Sequence, residues 1–368
     1  MHKRLRERVT LQPKTDLKDR KILYELDKNA RIPFSTIGKA IGLSESVVRY
    51  RVQRMQEAGI IKGFMTFIDT KKLGFHFHNT FIKFKVMDEN KQVDLIEKLK
   101  NIPSVAWLAS TETTYDLIIS VLARDIQHYQ ELFAQVLEVL EGNVAEDSVF
   151  LVSDGMQFPY PVLPDQPSHT ALDKHAHVGD GEKMQLRAND LRILEELALN
   201  ARITTLELAQ KLDMSMNAVA ERFHKLLDSD LVQGFKPLID MSKLGKNWHV
   251  MLLQLKYITP DAKKQFVNTL KSIPETFFIV NGVGNWHMQL EFYTDDKSEF
   301  RSILTKIFPS QNSDIVKKHT EMRITQEHKC VFYPVGIGNI SGQTKLDVWC
   351  TTHETKIRQK ELEEAYDT

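Results

Sequence analysis

Apolar positions in this chain follow two periods, and the pair of periods occurs twice in the same order. Between Ile22 and Met55 the apolar residues fall three or four apart, as Ile22, Leu23 and Leu26, then Ile37, Ala40 and Ile41, then Val48, Val52 and Met55. That spacing predicts three amphipathic helices. Thr15 or Asp16 stands where the first helix needs an N-cap, Ser35 where the second does and Ser44 where the third does, while Gly42 and Gly59 supply stops. A short helix, a tight turn and a second capped helix make a helix-turn-helix pattern. The period then shortens to two. Residues 79–86, 105–110, 116–123 and 146–152 read as strands, with helical spacing over 92–101 and 126–140 and Pro103 closing the first of those helices. The order βαββαβ is the ferredoxin-like split arrangement.

The second occurrence keeps the register of the first. "ILYELDKNARI" from Ile22 matches "ILEELALNARI" from Ile193, 171 positions on, and the same offset carries Gly63-Phe64 onto Gly234-Phe235 and "LKNIP" onto "LKSIP". The chain is a tandem duplication. Its fold class is α+β, two copies of a winged-helix-like helix-turn-helix module, each followed by a ferredoxin-like βαββαβ domain. The expected division is a basic arm over 1–15, helical modules over 16–63 and 183–234, sheet domains over 64–158 and 235–335, a Pro/His/Asp/Gly-rich linker over 159–182, and a tail over 336–368 whose role is not legible.

Charge separates the copies. The 368 residues sum to a net charge of zero. The first 15 carry five Lys/Arg against one acid, and 16–63 carry ten against six, whereas 183–234 carry seven against eight. A cationic front third in a neutral chain points to a polyphosphate partner, double-stranded DNA. With Val48 at the centre of the buried face, Ser46, Arg49, Tyr50, Gln53 and Arg54 project outward and Arg51 lies on the flank. Together with the small hydroxyls Ser35 and Ser44, these are the candidate DNA contacts: hydroxyls and helix amides toward phosphates, Arg and Gln toward guanine and adenine edges. A charged outer face on a lone helix is ordinarily a solvated face, and the charge segregation tips the reading toward DNA. In the second copy Arg49 becomes Ala220 and Tyr50 becomes Glu221. A glutamate in the reading face repels phosphate, so the second module is expected to serve packing or spacing.

Other features exclude more than they add. Two cysteines suit a reducing cytoplasm, and no apolar run of membrane length suggests a membrane partner. His328, Cys330, Cys350 and His353 are too loosely spaced to read as a zinc site. No Gly-rich phosphate loop, nucleophile elbow or HExxH run occurs, so neither catalysis nor a cofactor is expected.

The run "LKDRKILYELDKNARIPFSTIGKAIGLSESVVRYRVQRMQEAGIIKGF", followed by an "ID…KLG" step into the first sheet strand, resembles the feast/famine (Lrp/AsnC) regulators. The resemblance covers 16–152 and, more weakly, 187–333. It implies transcriptional regulation, assembly through the sheet domain (the RAM domain) and an amino-acid-like effector. In that family a turn reading Gly-Asp-Tyr-Asp helps shape the effector site. The matching residues here are Thr113, Thr114, Tyr115 and Asp116 in the first copy and Gly284 and Asn285 in the second, both departing from the pattern. With one strong reader per chain, at least a homodimer of chains is expected at a two-half-site operator. Paired homologous halves also resemble the sirohaem decarboxylases. In that alternative His78 and His249, related by the same offset, with His76 and His287 nearby, would meet a tetrapyrrole carboxylate.

Overall fold

A computed structural model of the protein describes residues 15–163, 176–178, 184–257, 259–308 and 315–333. The basic arm, the tail with Cys350 and His353, and most of the linker lie outside the described residues. The first copy runs α1 (Leu17–Lys28), α2 (Phe34–Ile41), α3 (Glu45–Glu57), β1 (Ile61–Ile68), β2 (His76–Phe84), α4 (Glu89–Lys100), β3 (Val105–Thr113), β4 (Leu117–Ala123), α5 (Ile126–Leu140) and β5 (Val144–Gln157). After a short β6 (Ala176–Val178) the second runs α6 (Ala188–Leu199), α7 (Thr205–Leu212), α8 (Met216–Asp228), β7 (Val232–Ile239), β8 (Asn247–Leu255), α9 (Pro260–Lys271), β9 (Thr276–Gly284), β10 (Met288–Thr294), α10 (Lys297–Ile307) and β11 (Val316–Cys330).

Local chemistry explains most helix ends. Asp16 caps α1 in a reciprocal box with Asp19, and Ser44 caps α3 by accepting from the Val47 amide. Ser35 does not cap α2. Pro33 holds the N-cap position without a side-chain bond, because its fixed φ starts the helix two residues earlier, and Ser35 lies inside the helix. Nor does Ala40 face inward; Gly38 is buried instead. A Cβ at Gly38 would collide with the Leu43 carbonyl, so the tight turn between α2 and α3 needs a glycine there.

Each sheet domain is a four-stranded antiparallel sheet, β5-β2-β4-β3 in the first copy and β11-β8-β10-β9 in the second. The two sheets join at both edges, β3 to β11 and β9 to β5, closing an eight-stranded ring. The long last strands make this possible. β5 pairs with its own β2 over 144–151 and then with β9 over 150–157, and β11 passes from β8 to β3 in the same way. Closure removes the sheet edges that an isolated copy would expose. Helices α4 and α5 cover one outer flank through a core including Leu99, Val136 and Leu140. Helices α9 and α10 cover the other through Phe266, Leu270 and Ile303. The barrel interior is filled from both copies, by Phe81, Ile118, Phe150, Val250, Val280 and Met322 among others. Each such fully buried side chain contributes on the order of 1.5–3 kcal/mol.

At one end of the barrel lies a second, two-stranded sheet in which β1 and β7 pair antiparallel, Ile61 opposite Ile239 and Phe64 opposite Pro237. The ribbon is sandwiched between the helical modules and the barrel. Its strands are therefore apolar on both faces and show no clean alternation, which is why the period-two pattern does not announce them. Across it the two helical modules hold each other reciprocally. The Ala30 amide donates to the Phe235 carbonyl and the Ala201 amide to the Phe64 carbonyl, both at 2.9 Å. Arg31 donates to the carbonyls of Ala201 and Ile203, and Arg202 to those of Ala30 and Ile32. One continuous core contains Ile22, Leu26 and Val48 of the first module and Ile193, Leu197 and Val219 of the second.

Candidate nucleic-acid interface

Val48, Val52 and Met55 turn one face of α3 into this shared core, which leaves the opposite face in solvent. Ser46, Arg49, Tyr50 and Gln53 lie on it, with the Tyr50 ring 66 % exposed. Arg49 pairs with Glu45 at 2.6 Å and lies over the Phe34 ring of α2. Gln53 donates to Glu57 at 2.9 Å. Both partnerships are exposed and worth at most about 1 kcal/mol, so a ligand with stronger acceptors can displace them. Ser44 and Ser46 stand with their hydroxyls 3.0 Å apart at the start of α3, beside its free amides.

Two of the expected contacts are already engaged. Arg51 donates to the carboxylates of Asp16 (2.8 Å) and Asp19 (2.9 Å), and Arg54 donates to the other oxygen of Asp19, whose side chain is fully buried. The Asp19 amide and the Arg51 guanidinium together hold the Asp16 carboxyl below its usual range. These pairs tie the third helix to the first. A helical wheel gives only the outward direction of Arg51 and Arg54 and not the partner waiting on another helix, so their structural role was not visible in sequence. Asp19 is the residue that pattern reading missed.

The second module repeats this frame. Ser215 caps α8, and Arg222 donates to the buried Asp190 at 2.7 Å. What differs is the outer face, where Ala220 and Glu221 stand in place of Arg49 and Tyr50 and are followed by Arg222.

The two family-type turns lie at the seams of the barrel. Thr113 Oγ1 donates to the Glu321 carbonyl at 2.6 Å, and Thr114 Oγ1 lies 2.6 Å from the Thr320 hydroxyl, so this turn grips the last strand of the other copy. Tyr115 is buried in the barrel core, and Asp116 accepts from Lys83 and the Phe84 amide. In the second copy Asn285 donates to Ser148 Oγ, and Gly284 packs against the Val149 backbone where a Cβ would clash. Thr113, Thr114, Gly284 and Asn285 thus serve the junction between copies, while Asp116 is tied within its own copy. None of them lines the interior cavity between barrel and ribbon, whose walls include Asn79, Trp248, Gln289 and Glu291.

The paired histidines do not meet in a shared site. His78 stacks on Tyr129 of α5 and His249 on Phe300 of α10, each against the outer helices of its own copy. Burial depresses both, His249 to about 4. His328 lies 2.7 Å from Ser110 Oγ and is likewise held at about 4 by burial, and burial drives the Cys330 thiol up. No cluster of metal-ligating side chains occurs among the described residues, and no helix among them is long and apolar enough to cross a membrane.

Comparison with known proteins bears on both copies. Residues 16–56 match the AsnC-type helix-turn-helix domain, and residues 186–233 match a winged helix-turn-helix DNA-binding family. The chain is 35 % identical over 145 residues to the HTH-type transcriptional regulator Ptr1 of Methanocaldococcus jannaschii, spanning 38 % of this chain and 96 % of that protein. It is 32 % identical over 136 residues to the HTH-type transcriptional regulator Rv2324 of Mycobacterium tuberculosis, spanning 36 % of this chain and 89 % of that one. Each relative therefore has the length of one copy. The solved structure of the siroheme decarboxylase NirDL matches the whole architecture, covering 95 % of this chain and 100 % of that chain at a TM-score of 0.53 with 15 % identity, a likeness of fold. With sequence relatives matched over nearly their full length, the chain belongs to the Lrp/AsnC family of helix-turn-helix transcriptional regulators, with two family units in one polypeptide.

Proposed function

We propose that this protein regulates transcription by laying α3 of its first helical module in the major groove of double-stranded DNA, with the second module acting as scaffold. The observation that carries this reading is the solvent-facing row Ser46, Arg49, Tyr50 and Gln53, displayed on a helix whose other face is locked in a core. Ser44 and Ser46 approach phosphates, and Arg49 and Gln53 reach base edges. Tyr50 packs on sugar or a thymine methyl. Ser35, inside α2, approaches the backbone. Arg54, still partly exposed, adds phosphate attraction, while Arg51 acts through positioning. Helix α8, with Glu221 on the corresponding face, contributes its packing across the ribbon.

Two chains then supply two readers for a two-half-site operator, and the protein works as at least a homodimer of chains in the cytoplasm. The reading is non-enzymatic. Its sequence relatives are named as transcriptional regulators, and His78 and His249 are stacked away from each other. The test is selection of bound duplexes from a random pool at two salt concentrations with the intact protein. The expected result is an enriched sequence and an affinity that falls steeply with salt. Failure to retain duplex DNA in dilute buffer would refute the reading, and a Soret-type band in the purified protein would favour the decarboxylase alternative.

A further inference from the structure

Between the barrel interior and the β1–β7 ribbon lies a cavity of about 80 Å³ with a distinctive lining. A water occupies roughly 10–15 Å³ on that measure, so the space suits a body of about five to eight non-hydrogen atoms. Its walls are aromatic, with Trp107, Trp248, Phe277, Tyr160 and Tyr293 among them. Its polar groups are biased toward acceptors. The Glu291 carboxylate, 5 % exposed, takes hydrogen bonds from Gln289 Nε2 (2.7 Å) and Trp248 Nε1 (3.0 Å), and no cationic side chain among the described residues pairs with it. Glu327 accepts from Trp107 Nε1 at 3.0 Å, with Lys62 of β1 at 3.6 Å from its other oxygen. Gln157, also 5 % exposed, lines the cavity with a buried Oε1 that has no hydrogen-bond partner.

A buried acid without a counter-ion and an amide oxygen without a donor are each costly unless something supplies the missing charge and proton. Rings facing the same space attract a cation through their π faces. We propose that this cavity is a binding site for a small organic ammonium, its N–H groups directed to Glu291 and Gln157 Oε1 and its apolar body held among the aromatic rings. The neighbouring cleft, about 320 Å³, shares Ile239, Trp248, Tyr293 and Glu327 with the cavity and gives the ligand a way in. The cations lining that cleft are engaged, Lys62 with Glu327, Lys246 with Asp295 and Arg323 with Glu112. The site lies apart from the Thr113–Asp116 and Gly284–Asn285 turns.

The site also carries a pH signature. Glu291 titrates among Glu327 and Cys330 of β11, Tyr160 after β5 and Tyr293 of β10, with Lys62 beyond Glu327. Burial keeps Cys330 and both tyrosines neutral, so they add no charge change of their own as Glu291 ionises.

Calorimetry with isobutylammonium, isobutanol and isobutyrate on the full chain tests the site, and needs no DNA. The ammonium should bind at least about tenfold more tightly than the alcohol, the carboxylate should not bind, and ammonium affinity should rise about tenfold from pH 6 to pH 8 as Glu291 ionises. Glu291→Gln, which keeps an acceptor for Trp248, should remove the preference for the ammonium. Gln157→Met should weaken the ammonium several-fold while leaving its pH dependence in place. Equal binding of alcohol and ammonium, preference for the carboxylate, an unaltered preference in a folded Glu291→Gln protein, or no binding by any probe would each overturn the proposal.

Discussion

At position 51 and its counterpart 222 both helical modules keep an arginine, and in both it donates to a buried aspartate of the module's first helix. One position earlier the copies part, Tyr50 against Glu221, and one before that Arg49 stands against Ala220. The duplication separates two kinds of charge on one helix. The arginine held in both copies maintains the fold of the module, and the positions that diverge are those that solvent, or a ligand, can see. The sheet domains diverge at buried positions as well. Ser120 and Glu291 are equivalent by the 171-residue offset, and the hydroxyl of the first copy faces a carboxylate in the second across Asn79 and Gln289. Thr113 and Gly284 are a further diverging pair, at the turns that seal the barrel.

The largest test of this comparison concerns Glu291. Burial holds its carboxyl up to about 7 from an ordinary 4.5. The folded state therefore keeps a proton that the unfolded chain releases between those values. The stability this group contributes is whole below about 4.5 and is lost as pH rises through about 7. Relative to the wild type, Glu291→Gln should be near neutral at pH 4 and more stabilising by about 3 kcal/mol at pH 8, read from denaturant midpoints. A gap that does not change with pH would mean that Glu291 ionises as an ordinary surface acid.

Next in size are the buried aspartates. Asp19→Ala takes the partner from Arg54 and leaves Arg51 with Asp16 alone, and should cost about 2–3 kcal/mol of stability, while Asp190→Ala should cost somewhat less because only Arg222 loses a partner. Urea titrations would show both losses. A loss in the first module only would separate the two frames that the structure makes equivalent.

The reading face comes third. Arg49→Ala should weaken operator binding by about 2 kcal/mol, roughly 30-fold, and broaden sequence preference, with melting temperature little changed. Ala220→Arg should not produce the opposite change. The smallest effect belongs to the turns. Thr113 holds a φ of 92°, a strained setting for a β-branched residue, where the second copy has glycine. Thr113→Gly should raise stability by about 1 kcal/mol, the relieved strain outweighing an exposed hydrogen bond to Glu321. A drop in melting temperature would show that the bond dominates.

Much of this architecture is legible in the chain, and the omissions share a cause. The duplication, three helices per module and βαββαβ order follow from spacing, because each is set by neighbours a few residues apart. The α5 segment at 126–140 is read from its period alone. What the pattern does not carry is pairing at long range. Ile61 opposite Ile239 makes the ribbon, Thr113 opposite Met322 helps close the barrel, and Asp19 takes up arginines 32 and 35 residues away. The cavity is hidden for the same reason, since Asn79, Gln157, Glu291 and Glu327 come from four strands of both copies and meet only once the ring is closed.

The central claim is that one module of the pair touches DNA. A photo-crosslinking amino acid placed at position 50, and separately at position 221, in the otherwise intact chain tests it most directly. With duplexes enriched from a random pool, crosslinks should form from position 50 and not from position 221. Crosslinks of equal yield from both positions, or from 221 alone, would contradict it.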